Sequence, residues 1–195
     1  MDLQPEVSLR RFRELGVQDI DEMLNPYRQL GVFHDLEMGL VGREEFVARL
    51  NEHAGTNLTD EQINEAIMLF LKGVPQYKFD YLEQLRKQYK IYILSNTNPY
   101  IMAYAHSPHF LPATGRMLSD YVDKVYASCE MQTMKPDRAI YEQMIADSGM
   151  VPERTLFIDD STANLEAAAA FGLQTLLAVN GTDWRPALAA RLQHD

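Results

Sequence analysis

The sequence holds one cysteine, Cys129, in 195 residues. A lone thiol cannot close an internal disulfide, so the fold does not depend on a disulfide framework, and this usage fits a reduced, cytoplasmic protein. Cys129 itself reads as a small packed residue beside a strand. Long apolar runs are also missing. No stretch approaches the roughly 18 apolar residues of a membrane span, and the start, Met1-Asp-Leu-Gln-Pro-Glu, has neither the basic nor the apolar region of an export signal. Positive charge is scarce: 18 Lys and Arg against 28 Asp and Glu leave a formal charge of −10. Such a surface repels nucleic-acid backbones and anionic lipid alike, so neither nucleic acid nor membrane is an expected partner, and any anion site must be a local pocket. There is no fixed-period repeat and no GxGxxG, P-loop, HExxH or GxSxG pattern, which disfavours dinucleotide binding, Walker-type NTP hydrolysis, zincin chemistry and the α/β-hydrolase nucleophile. His106-x-x-His109 lacks a matching second pair of ligands, so its spacing does not make a zinc site.

What is present is an ordinary globular composition, 46% apolar and 24% charged. The length suits a core domain of about 100–150 residues with an inserted or appended module. The first eighty residues read as helices. Thr59-x-x-Gln62 is a capping box, followed by Ile63, Ile67, Phe70 and Leu71 on one helical face. Phe46, Val47 and Leu50 mark a helix from about Arg43 to Gly55, and Val7, Leu9, Phe12 and Leu15 mark another. From about Phe79 helical patterns alternate with short apolar runs, the signature of a parallel α/β sheet. Helix faces are expected at Tyr81, Leu82, Leu85 and Tyr89, at 139–148 and at 161–171. Strands are expected at 91–94, 125–127, 155–158 and 174–179, and the first of these should be buried.

Ligands in such sheets bind beyond the carboxyl ends of the strands. The strand at 91–94 delivers Ser95-Asn96-Thr97-Asn98, whose hydroxyl, amide and backbone donors suit phosphate oxygens or, equally, cap the next helix. The strand at 155–158 delivers Asp159-Asp160, with Ser161 as the expected N-cap and Asn164 one turn on. Adjacent carboxylates repel unless a cation or lysine compensates them, and a small set of hard oxygen ligands suits Mg²⁺. The plainer reading caps a helix with one Asp and exposes the other. Lys135-Pro136-Asp137 lies between these two segments. Its lysine either pairs with a phosphate or carboxylate oxygen or is a surface lysine.

Taken in order, Tyr92-Ile-Leu-Ser-Asn-Thr97, Met134-Lys-Pro-Asp137 and Leu156-Phe-Ile-Asp-Asp-Ser161 closely resemble motifs II, III and IV of the haloacid dehalogenase-like (HAD) hydrolase superfamily. The helix Asn164-Leu-Glu-Ala-Ala with Gly172 is similar to the one that follows motif IV. The resemblance implies a Rossmannoid α/β core, a parallel sheet flanked by helices, over residues 1–8 and 78–195, with an all-α cap over residues 9–77. It implies a Mg²⁺-dependent phosphatase acting on a small phosphorylated metabolite. Ser95 and Asn96 would bind the phosphoryl group, with Lys135 neutralising its charge. Asp160 would ligate Mg²⁺, and Asp159 would support the metal or its waters; Lys135, Asp159 and Asp160 form the catalytic set.

Motif I of that family is a buried first strand ending in an aspartate nucleophile that forms a phospho-aspartyl intermediate. Asp2 follows only Met1, so no apolar run places it at a strand end. The family's sheet sets this first strand centrally, between the strands represented here by 91–94 and 155–158. The expectation is therefore that the nucleophile and its strand lie upstream of the sequence shown. The alternative is a catalytically inactive relative that binds phosphate or Mg²⁺ or serves as an interaction surface.

Overall fold

The computed structural model describes residues 2–25, 28–112, 114–179 and 181–192. Residues 1–134 gather into one compact unit and 135–195 into a second.

The first unit opens with strand β1 (Asp2–Leu3) and helices α1 (Pro5–Glu14) and α2 (Ile20–Met23). A short antiparallel pair follows, β2 (Leu24–Asn25) with β3 (Arg28–Gln29), and then helices α3 (Gly31–Glu37), α4 (Arg43–Ala54) and α5 (Asp60–Met68). Their apolar faces meet in one core, in which Phe12, Val17, Ile20, Leu36, Phe46, Leu50 and Ile63 are fully buried. Phe12, Phe33 and Phe46 stack edge to face, with centroids 5.6 and 5.0 Å apart, the arrangement that ring quadrupoles favour. The capping box forms as read: the Gln62 amide N–H donates to the Thr59 hydroxyl, and the Thr59 N–H donates to the Gln62 side chain. Gly55, at φ 65°, closes α4 in the left-handed conformation open to glycine.

Leu71 departs from the expected helical face, because α5 stops at Met68 and Leu71 opens β4 (Leu71–Gly73). The cause is β1, which pairs antiparallel with β4. The Gln4 side-chain amide donates to the carbonyls of Leu69 and Leu71, and its backbone N–H donates to Phe70. Carbonyls that end a helix without partners are satisfied there by extended chain. Asp2 thus stands in a two-residue strand that no apolar pattern announces.

Helix α6 (Gln76–Leu85) buries Phe79 against Phe110 and Tyr121. Tyr89, expected on the same face, lies beyond its end and is exposed. Strand β5 (Tyr92–Ser95), helix α7 (Pro99–Ala105), strand β6 (Lys124–Ala127) and the single turn α8 (Ser128–Met131) complete this unit. β5 and β6 are parallel, with Tyr92 opposite Lys124 and Ser95 opposite Ala127. The second unit runs α9 (Arg138–Ser148), β7 (Leu156–Asp159), α10 (Thr162–Ala169), β8 (Gln174–Leu177) and α11 (Arg185–Leu192). β7 and β8 are also parallel, with Asp159 opposite Leu177.

Among the described residues each parallel pair forms its own two-stranded sheet. Among them β5 therefore carries one ladder partner, β6. The strand expected to be buried is half-buried at all four of its positions. No described helix is long and apolar enough to cross a membrane.

Candidate functional site

In the second unit the alternation of β7 turns Phe157 and Asp159 inward and leaves Asp160, one residue past the strand, exposed. Asp159 is held from three directions. One carboxylate oxygen accepts from Lys135 Nζ at 2.6 Å; the other accepts from the Ser161 N–H and from Asn164 Nδ2, each at 2.9 Å. The Lys135 and Asp159 side chains are only 11% and 6% exposed, so this ion pair is shielded from screening by solvent. Lys135 also lies 5.8 Å from the centre of the Phe157 ring.

Ser161 is the N-cap of α10 by position, but its hydroxyl makes no capping bond; its backbone N–H serves Asp159 instead. Asn164 is steadied in turn by Tyr141, whose hydroxyl donates to the Asn164 carbonyl at 3.0 Å. Burial, and next the Asp159 charge, push the Tyr141 phenol well above its ordinary pKa. Tyr141 carried no sequence signal, since it reads simply as an apolar position of α9.

In the first unit the strand ends carry the hydroxyl and amide groups. Ser95 closes β5 with its hydroxyl donating to the Asn96 carbonyl at 3.3 Å, and Asn96 is exposed. The helix-capping role belongs to Asn98 in this run. Its side chain accepts from the N–H groups of Tyr100 and Ile101, at 3.1 and 3.2 Å, and starts α7. Ser128 ties the two strand ends together: its buried hydroxyl accepts from the Thr97 N–H at 2.9 Å and donates to the Thr97 carbonyl at 3.1 Å. The Thr97 side-chain hydroxyl is itself buried without a partner among the described residues. Tyr100 then reaches the helical core, with its hydroxyl on Asp60 at 2.7 Å and its ring 4.1 Å beneath the Arg43 guanidinium. Arg43 and Asp60 form an ion pair. Cys129 is free and half-buried, and burial lifts its thiol to about 11, as suits a packed residue rather than a nucleophile.

Lys135, Asp159 and Asp160 thus assemble in one unit, and Ser95 and Asn96 in the other. A cavity of about 300 Å³ opens elsewhere, against Met23, Val32, Arg49 and His53, but Arg49 already pairs with Asp35 and His53 with Asp19. Among the described residues no group of three or more His, Cys, Asp or Glu side chains is set to hold a metal. A metal here would instead rely on one or two carboxylates, with water and substrate oxygens, which is the habit of Mg²⁺.

A family model described as haloacid dehalogenase-like hydrolase matches residues 7–172. The chain belongs to that family. This hydrolase is 38% identical over 192 residues to the D-ribitol-5-phosphate phosphatase of Bacteroides thetaiotaomicron, a match covering 98% of the chain and 93% of the relative. Its fold superposes at a TM-score of 0.95 on a predicted HAD-like family hydrolase from Porphyromonas gingivalis, 47% identical, over 100% of this chain and 93% of that one. A HAD family enzyme from Bacteroides thetaiotaomicron, crystallised with magnesium and inorganic phosphate, superposes at 0.88 with 34% identity, over 95% and 92% of the two chains. The hydrolase therefore has the α/β fold, parallel strands flanked by helices, that its strand-end motifs implied.

Proposed function

We propose that the protein is a cytoplasmic, Mg²⁺-dependent phosphatase of small phosphate monoesters, working through a phospho-aspartyl intermediate. The observation that carries this reading is the buried Lys135–Asp159 pair with Asp160 exposed beside it. A carboxylate that spends its acceptors on Lys135, Ser161 and Asn164 is a fixed counter-ion, so its neighbour is the freer ligand for a cation.

In this reading Asp160 ligates Mg²⁺ and Asp159 orients Lys135 and the waters of the metal. Bound Mg²⁺ supplies positive charge that offsets the repulsion between an attacking carboxylate and a phosphate. Lys135 neutralises phosphate oxygens while Asp159 fixes its direction. The Ser95 hydroxyl and the Asn96 amide hold the phosphoryl group at the end of β5, where the buried Thr97 hydroxyl adds a further polar atom. Residues 9–77 act as the helical cap over a core of 1–8 and 78–195, excluding water and selecting the substrate.

The nucleophile is an aspartate carried on a strand upstream of the residues shown. Support comes from β5 and β7, each of which has a single ladder partner among the described residues. Its carboxylate oxygen would bond to phosphorus as the phosphorus–oxygen ester bond breaks, the departing alkoxide taking a proton from water; a water molecule would then cleave the acyl phosphate, releasing inorganic phosphate and restoring the carboxylate. The similarity to a D-ribitol-5-phosphate phosphatase favours a sugar-alcohol phosphate as substrate.

The test is hydrolysis of phenyl phosphate and D-ribitol 5-phosphate, with and without Mg²⁺, by the 195-residue chain and by a chain extended with its upstream codons. The expected result is Mg²⁺-dependent turnover by the extended chain only, abolished by Asp160→Asn. Turnover by the 195-residue chain would refute the upstream nucleophile. Failure of the extended, folded chain to hydrolyse either ester would refute the activity.

A further inference from the structure

Glu37 ends α3 half-buried and, among the described residues, without a hydrogen-bond or ion-pair partner. Burial pushes its carboxyl up to about 7. An isolated carboxyl in apolar surroundings is costly unless something satisfies it.

Its position is fixed by an unusually close approach two residues on. Gly39, at φ 65°, has no Cβ, and one built there would stand 2.0 Å from the Cys129 carbonyl oxygen. The Gln132 side-chain amide donates to the Gly39 carbonyl at 3.3 Å. The end of α3 is thereby seated on α8, the turn that leaves the carboxyl end of β6. Glu37 is near enough to Cys129 for its charge to raise the thiol further.

β6 ends at Ala127, directly opposite Ser95, and Ser128 bonds to Thr97. Adjacent strands are about 4.8 Å apart, so Glu37 sits at the same end of the same strand pair as the proposed phosphate contacts. A carboxyl there stands within reach of the group to which a phosphate held at that end is esterified. Neutral, it offers one O–H donor and spare acceptor capacity, which matches a hydroxyl group; ionised, it still accepts from one.

We infer that Glu37 is a specificity-determining residue that hydrogen-bonds hydroxyl groups on the alcohol portion of the substrate, so that hydroxylated phosphate monoesters are preferred. This rests on the phosphatase reading above. Binding is the measurement that separates the two, because it needs no nucleophile. Affinities for D-ribitol 5-phosphate, phenyl phosphate and phosphoethanolamine would be measured calorimetrically with Mg²⁺, on the parent chain and on Glu37→Ala, Glu37→Met and Glu37→Gln.

The Ala and Met variants are expected to lose on the order of tenfold or more for ribitol phosphate, while phenyl phosphate changes by less than about twofold. Gln, which keeps a donor and an acceptor, retains most of the affinity. Met fills the same space without polar atoms and serves if Ala does not fold. Equal losses on both esters, no loss on ribitol phosphate, or a larger loss on phosphoethanolamine would each overturn the role of Glu37 and leave the phosphatase reading standing. A folded parent chain that binds none of the three esters would overturn both.

Discussion

Replacing Asp159 by Asn keeps the shape of the side chain and removes its charge. Lys135 then loses a carboxylate 2.6 Å away at a position only 11% exposed. Breaking a buried pair from one side costs about 3–5 kcal/mol, because the surviving charge stays desolvated. Lys135 has a further contact of its own, so the lower figure, about 3 kcal/mol, is expected. For a chain of this length that corresponds to a fall in Tm of roughly 6–12 °C. Lys135→Met should cost a similar amount, since Asp159 would keep only the Ser161 and Asn164 donors.

The double variant is the decisive one. With both charges gone the penalty of an uncompensated ion disappears, and it should be more stable than the sum of the single effects by about 2 kcal/mol. Urea denaturation of the four chains measures this coupling. Additivity within about 0.5 kcal/mol would mean that the two side chains do not stabilise each other, and the account of the pair would be wrong. Mg²⁺-dependent phosphate binding should be lost in all three variants, the more stable double included. Stability and function would then separate at one pair of residues.

Glu37 gives a prediction in pH. Its folded value, about 7, lies above the ordinary 4.5, so the folded chain holds the proton more tightly between these values. The stabilisation is full below about 4.5 and is lost as pH rises through about 7. Glu37→Gln should therefore gain stability over the parent between pH 5 and pH 8.5, by at most about 3 kcal/mol given partial exposure of the side chain. Parallel stability curves for the two chains would contradict it. Gly39→Ala and Gly55→Ala share a φ of 65°, yet only the first drives a Cβ against backbone. Gly55→Ala should cost about 1 kcal/mol, the ordinary left-handed penalty, and Gly39→Ala at least about 3 kcal/mol. Equal melting temperatures for the two variants would mean that Gly39 does not approach the Cys129 carbonyl so closely.

What could be read from the sequence was local. The Thr59–Gln62 box, the glycine that closes α4 and the four parallel strands each depend on residues within a few positions of one another, and each forms within about a residue or two of where the pattern puts it. Asp159 and Asp160 could be placed at a strand end for the same reason. Which of the two carboxylates takes the lysine could not be read this way, because it depends on Lys135, 24 residues away, and on which face of β7 turns inward. The ladder between β1 and β4 is made by backbone groups, and the Gln4 side chain that supports it meets carbonyls more than sixty residues away, so no local pattern announces it. Arg43, Asp60 and Tyr100 are scattered through the chain, so nothing in their spacing announces that they meet. The Gly39 approach to Cys129 likewise exists only in three dimensions.

Tyr100 has one more consequence. Its ring is 1% exposed and packs within the same apolar cluster as Phe12, Phe46 and Ile63, although it comes from the helix that follows the Ser95–Asn98 turn. Residues 9–77 are therefore not a transferable cassette. Grafted onto another scaffold, they would carry a tyrosine-sized hole and leave Asp60 without the phenol it binds, unless the segment from Asn98 to Ile101 travelled with them. Recombination that exchanged the helices alone would yield a poorly packed chimera.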